Sequence, residues 1–210
     1  MSNKPGVFGN IYALNSWGFG SGHGSLPKAT RRYRQFLADF MRENKVRSVV
    51  DYGCGDWQFS RLVDWSRVNY LGLDVISGLI DRNNKKYRMT NVRFEMAPEQ
   101  FANVPSADLL IVKDVLQHFP TEMVRRFMEE AVPHFKFALI TNCIEPASDL
   151  NREITLGDFR PLDLRAAPFH YRAPAVFCFS GPKTTSLRTF RTFPAWHKIV
   201  LLYHSAPKSN

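Results

Sequence analysis

Strand-like and helix-like patterns take turns along this chain, and few architectures accept that order. Short apolar runs at 48–51, 70–75, 92–96, 107–112 and 137–143 read as buried strands. Helical segments lie before and between them. Tyr33, Phe36, Leu37, Phe40 and Met41 keep the spacing of one apolar helix face, with Pro27 suited to the first turn and the end near Asn44. Helices are also expected from Trp57 to Val63, capped by Asp56, from Ser77 to Tyr87, and from Thr121 to Ala131. Such alternation builds parallel strands joined by right-handed crossovers, with helices on both faces. After Glu145 the pattern weakens until two last strands, Ala175 to Ser180 and Lys198 to His204, with no helix evident between them. These should pair antiparallel as an edge hairpin, completing an α/β sheet of seven mostly parallel strands.

The 210 residues suffice for one such domain, and 44% hydrophobic with 22% charged residues is a globular composition. The first 26 residues differ. Gly18, Gly20, Gly22 and Gly24 surround Trp17 and Phe19 in a segment that reads as a loop, an arm or lid able to fold over a ligand. Residues 27–210 then form the single domain. Cys54, Cys143 and Cys178 are odd in number and contain no Cys-x-x-Cys pair, so neither a disulfide framework nor a metal site is indicated, and a reducing, cytoplasmic setting is expected. No apolar stretch approaches about 18 residues and the N-terminus carries no signal-like run, so no membrane partner is expected. The net charge of +9 admits nucleic acid as a partner. Its basic residues are spread over three clusters, around Arg31 to Arg34, Arg82 to Arg88 and Lys183 to Lys198, so a solvated surface is the simpler account.

The chemistry concentrates in Val49-Val50-Asp51-Tyr52-Gly53-Cys54-Gly55-Asp56, a strand running into a tight loop where open α/β sheets present their ligand crevice. Two glycines let the backbone approach a ligand where a Cβ would collide. Nineteen residues after Gly55, at the end of the second strand, stands Asp74, placed to accept both hydroxyl hydrogens of an adenosine ribose. A nicotinamide dinucleotide uses similar parts, but its Gly-x-Gly-x-x-Gly loop would need a third glycine where this chain has Gln58. Asp51 and Asp56 argue the same way, because carboxylates repel a pyrophosphate and attract a sulfonium or ammonium.

From Tyr33 to about Cys143 the chain resembles the class I S-adenosylmethionine-dependent methyltransferases. The resemblance implies a Rossmann-like fold that binds S-adenosylmethionine and releases S-adenosylhomocysteine. It also implies that Gly53, Cys54 and Gly55 pack against the cofactor, that Asp51 lies near its methionine end, and that Asp74 and Val75 hold the ribose. The family's third loop glycine is Trp57 here, which either contacts the cofactor or packs under the loop. Ala97, after the third strand, occupies the adenine position without the acid many relatives carry. Trp17, Tyr33 and Arg34 are expected to close over the cofactor, with Arg34 or Arg31 receiving its carboxylate.

Lys113, Asp114 and His118 follow the fourth strand, where this family lines its cofactor and acceptor pocket. Lys113 and Asp114 can pair locally or meet the ligand, Asp114 is also a catalytic candidate, and His118 is a candidate general base. Phe159, Phe169 and Tyr171 are candidates for an acceptor wall, and Arg160 for an acidic acceptor group. The favoured function is methyl transfer to an oxygen or nitrogen of a small-molecule or glycan-like acceptor. An RNA or protein methyltransferase is the alternative, and a non-catalytic nucleotide- or partner-binding protein is the alternative of another class.

Overall fold

The computed structural model describes residues 6–181, 183–185, 192–193 and 195–204. Arg188 and Arg191 of the third basic cluster lie outside the described residues. The chain begins with α1 (Val7–Ala13) and α2 (Arg31–Glu43), then β1 (Ser48–Tyr52), β2 (Asn69–Asp74), α3 (Ser77–Tyr87), β3 (Val92–Met96) and β4 (Ala107–Lys113). It continues with α4 (Thr121–Glu130), β5 (Phe135–Cys143), β6 (Ala175–Gly181), the short ribbon of β7 (Thr184–Thr185) and β8 (Thr192–Phe193), and β9 (Trp196–His204). Seven strands form one sheet in the order β3-β2-β1-β4-β5-β9-β6. Strands β1 to β5 pair in parallel, and β9 runs antiparallel to both β5 and β6. The expected late hairpin is therefore present, with the last strand inserted between β5 and the edge strand β6.

Strand alternation divides the core in two. Val49, Leu109, Ile111 and Leu139 meet Tyr33, Leu37, Phe40 and Met41 of α2 on one face. Val50, Leu110, Val112 and Ile140 meet Val124, Phe127 and Met128 of α4 on the other. Helices thus cover both faces, as the alternating pattern requires. Strand order reverses between β1 and β4, so the crevice between their C-terminal ends is open to a ligand.

Two local expectations fail, and one helix was not foreseen. Residues 57–63 do not form a helix: Trp57 sits at φ 58° and only Ser60–Leu62 turn, as a 3₁₀ segment. The cause is the Trp57 ring, buried against Tyr70, Tyr87 and Phe94 at centroid distances of 5.6, 5.1 and 5.1 Å, which holds the backbone in the left-handed region and stops helix propagation. Asp56 consequently caps nothing. Pro27 precedes α2 rather than opening it, because Thr30 Oγ1 donates back to the Leu26 carbonyl and the helix starts at Arg31. The glycine-rich arm contains a helix, α1, with poor local propensity for one. Tertiary contact compensates, since Phe8 packs on Trp17 and Phe119. All three cysteines are free, and no helix among the described residues is long and apolar enough to cross a membrane.

Phe127 of α4 is fully buried and meets Tyr52 of β1 and Phe101 edge-on at 4.9 and 5.1 Å. Phe127→Ala is expected to cost about 3–5 kcal/mol, read by denaturant unfolding at constant m-value; a loss below about 1 kcal/mol would contradict this account of the α4 face.

Candidate active site

The C-terminal ends of β1, β2 and β4 deliver the glycine loop, Asp74 and the Lys113-Asp114 pair to one crevice. Gly53 and Gly55 have φ of 76° and 56°. A Cβ on Gly53 would strike the Val115 side chain, and one on Gly55 would meet Ser21 and stand 2.8 Å from the Tyr12 hydroxyl. The loop is fixed from beneath: Asn83 of α3 donates to the Gly55 carbonyl at 2.8 Å, and the Gly55 amide donates to Asp74 Oδ2 at 2.9 Å. Asp74 Oδ1 accepts from the Ile76 amide at 3.1 Å. Burial raises the Asp74 carboxyl above its ordinary range, and these amides pull it back.

The arm lies across this loop. Ser21 Oγ donates to Asp56 Oδ1 at 2.5 Å and receives the Asp56 amide at 3.1 Å. Because the single Ser21 proton goes to Asp56, the Tyr12 hydroxyl at 2.7 Å donates to Ser21. Gln58 joins the Phe19 carbonyl to Asp56. Beneath the arm an inner cavity of about 100 Å³ is lined by Asp74, Val75, Ala97, Cys54, Gly53 and Lys113 among others. An outer cavity of about 790 Å³ adjoins it, and Trp17, Ser21, Asp114 and His118 line both.

Asp114 stands where the two cavities meet, at φ 61°, a conformation that costs a non-glycine residue energy. Its Oδ2 accepts from the ammonium groups of Lys113 and Lys198, each at 2.5 Å, while Oδ1 is buried and accepts from no described residue. Although burial alone would raise its pKa, the two lysines hold the carboxyl down at about 2. Burial lowers the Lys113 ammonium to about 8, against the attraction of Asp114. That ammonium also donates to the Gly24 carbonyl at 3.2 Å and lies 5.2 Å from the Phe59 ring centre, which ties the arm to the end of β4.

His118 packs against Trp17 at 4.8 Å and Phe159 at 5.9 Å. Its Nδ1 is 2.8 Å from the Asp158 carbonyl, which can only accept, so Nδ1 bears the proton and Nε2 the lone pair. Gln117 Oε1 accepts the Cys143 amide at 3.0 Å, which turns the Gln117 amide nitrogen toward Nε2 at 3.5 Å. Burial lowers the His118 pKa from its ordinary value, which favours the neutral ring.

The structure brings Trp17, Gly53, Cys54, Asp74, Val75, Ala97, Lys113, Asp114 and His118 to the cavities, with Gly55 beside them in the loop, its amide on Asp74. Five other candidates stand elsewhere. Tyr33 is fully buried in the α2 core, stacked on Phe179 at 5.4 Å. Trp57 packs under the loop. Arg34 donates to the Pro27 carbonyl at 2.9 Å, and Arg31 is exposed; neither lines a cavity. Asp51 shares the Val49 side of β1, so its carboxylate enters the core and accepts from Tyr70 at 2.6 Å and Ser60 at 3.1 Å. Among the acceptor-wall candidates Phe159 lines the outer cavity, whereas Phe169 belongs to the α4-side core and Tyr171 packs against it. Arg160 is wholly buried and donates to the Phe119 and Arg152 carbonyls, so it holds loops rather than an acceptor.

Sequence reasoning missed Tyr12, Ser21 and Asn83, whose roles depend on how the arm and α3 meet the loop. It also missed Lys198, read as part of a solvated cluster. A lysine directly before Ile199, Val200 and Leu201 was the available signal for a buried cation.

No known family model matches the chain, and no curated protein matches it. Solved structures do. Magnesium protoporphyrin IX methyltransferase (ChlM) from Synechocystis PCC 6803, with bound S-adenosylhomocysteine, is similar at a TM-score of 0.57 and 14% identity, covering 95% of both chains. TehB from Haemophilus influenzae is similar at 0.59 and 12% identity, over 87% of this chain and 67% of that one. The N-terminal domain of EvdMO1 with bound S-adenosylhomocysteine gives 0.54 and 14% identity, over 82% and 81%. The chain has the class I S-adenosylmethionine-dependent methyltransferase fold.

Asp51 supplies a test of the site's electrostatics. Burial raises its carboxyl from 3.8 to about 6, more than the Tyr70 and Ser60 hydrogen bonds lower it. The folded state therefore binds the extra proton between about pH 4 and pH 6, and stability falls as pH rises through that window. Asp51→Asn should remove about 3 kcal/mol of that fall, measured by urea unfolding of both proteins at either end of the window. Parallel pH profiles would show that this carboxylate is not the buried group described here.

Proposed function

We propose that this protein is an S-adenosylmethionine-dependent methyltransferase acting on an oxygen or nitrogen of a small-molecule acceptor. The observation that carries the reading is the meeting of two cavities at Asp114 and His118, one beside the glycine loop and Asp74, the other roomy enough for an acceptor. The donor set fits the cofactor. Asp74 offers carboxylate lone pairs to ribose hydroxyls, Val75 and Ala97 offer an apolar wall to the adenine, and the unpartnered Asp114 Oδ1 offers an acceptor to an ammonium. When bound, the cofactor supplies a methyl group already activated on a sulfonium. Alignment then provides much of the acceleration, and His118 Nε2 takes the proton from the acceptor hydroxyl or amine. The relatives crystallised with S-adenosylhomocysteine support the same cofactor. The walled outer cavity favours a small acceptor over a nucleic acid or protein.

The arm acts as the lid. With Ser21 and Tyr12 over Gly55 the inner cavity holds about 100 Å³, below the roughly 300 Å³ at which small-molecule sites begin. Cofactor entry therefore requires the arm to lift, breaking the Ser21–Asp56 latch. Ser21→Ala is expected to raise the association rate of S-adenosylhomocysteine several-fold in stopped-flow tryptophan fluorescence; an unchanged rate would remove the latch from the binding step.

Calorimetric titration with S-adenosylmethionine, S-adenosylhomocysteine and NAD tests the reading. The first two are expected to bind with micromolar dissociation constants and NAD not at all. Asp74→Ala should lose two charge-assisted hydrogen bonds of about 1.5–3 kcal/mol each, with folding checked by thermal melting. NAD binding, or full affinity in a folded Asp74→Ala protein, would overturn the assignment.

A further inference from the structure

The chemistry of the outer cavity narrows the acceptor class, an inference that rests on the methyltransferase reading. Its walls carry flat aromatic rings and one buried lysine, beside the carboxylates of Asp114 and Glu145. Trp17 and Phe159 flank His118, and Trp196 lines the cavity with the Lys198 ammonium 4.5 Å from its ring centre. The Lys198 side chain is only 6% exposed, although it carries a full ammonium group.

Counter-charge is short at this lysine. Its carboxylate partner is Asp114 Oδ2, the same oxygen that pairs with Lys113. Two buried ammonium groups thus divide one carboxylate oxygen, and each belongs to a different cavity: Lys113 lines the inner one, Lys198 the outer one, and Asp114 both. Lys113 has the Gly24 carbonyl and the Phe59 ring as further partners. Among the described residues no second carboxylate pairs with Lys198, and Glu145, which also lines this cavity, is exposed at its rim. A desolvated cation with half a counter-ion gains most from an anion delivered by a ligand, because the low-polarity walls that make its isolation costly also strengthen the new pair.

Register places this cation where a substrate can reach it. Lys198 is opposite Cys143 across the β5–β9 ladder, so it stands at the C-terminal end of β5, on the same sheet edge as the glycine loop, Asp74 and Asp114. We propose that the acceptor is a flat, conjugated small molecule bearing a carboxylate, that Lys198 receives the carboxylate, and that Trp17, Phe159 and Trp196 hold the plane of the molecule beside His118.

The test is equilibrium binding to the full-length protein saturated with S-adenosylhomocysteine, followed by calorimetry. The probes are naphthoate and indole carboxylate against naphthamide and indole carboxamide, which match in shape and lack the charge. The carboxylates are expected to bind at least about tenfold more tightly than the amides, as a charge-assisted hydrogen bond to a buried ammonium provides. With S-adenosylhomocysteine kept saturating for each protein, Lys198→Met should abolish that preference, and Lys198→Arg should retain it. Circular dichroism establishes that both variants fold, and if Lys198→Met does not, the wild-type carboxylate-to-amide ratio and its retention in Lys198→Arg decide alone. Equal binding of acids and amides, no binding of any probe, or a preference surviving in a folded Lys198→Met protein would overturn the proposal. Failure of the wild type to bind S-adenosylhomocysteine would instead strike the methyltransferase reading, and the acid-to-amide ratio is then read without it.

Discussion

One carboxylate oxygen held between two ammonium groups organises this site. Asp114 ends β4 in a left-handed conformation, and its Oδ2 accepts from Lys113 of the same strand and Lys198 of β9. Remove the carboxylate and two desolvated cations face each other; remove either lysine and the shared charge collapses onto the other. The arm is bound into the same network, since Lys113 also donates to the Gly24 carbonyl. Sheet, arm and both cavities therefore converge on a single residue whose second oxygen, Oδ1, is buried and accepts from no described residue.

That arrangement links architecture to chemistry. Parallel strands carry the glycine loop, Asp74 and Asp114 to one edge, and the reversed β9 brings its starting residues, Trp196 and Lys198, to the same edge. The arm is seated over the inner cavity by hydrogen bonds from Ser21, Tyr12 and Gln58 and by the rings of Phe8 and Trp17 against Phe119 and His118. His118 is prepared by its neighbours: a carbonyl fixes the proton on Nδ1, and burial favours the neutral ring.

Much of this was legible before any coordinates. Periodicity located α3 and β3 to the residue and most other boundaries within one or two, because an apolar stripe and a two-residue alternation are local properties of the chain. The cofactor loop and Asp74 were legible for the same reason, as a turn and a strand end leave glycines and an acid at fixed spacing. The readings that failed depended on direction rather than position. Asp51 lies in the right strand but on the Val49 face, so its carboxylate enters the core. Tyr33 was expected to close over the cofactor, yet its ring stacks on Phe179; of the two readings open for Trp57, the structure takes packing under the loop, against Tyr70 and Phe94. The helix expected after the loop was lost to that Trp57 ring, a contact made with residues up to 37 positions away.

The sequence by itself determined the alternating sheet, the glycine loop and the acid at the end of β2, all of which follow from local spacing and from where glycine and β-branched residues are tolerated. Tertiary structure alone decided where the arm lies, which carboxylates face the cavities, and that Lys198 stands beside Asp114. The physical reason is the ladder between β5 and β9. Residues 114 and 198 are 84 positions apart and nothing local joins them, but antiparallel pairing of an inserted last strand sets their charged groups 2.5 Å apart inside the protein.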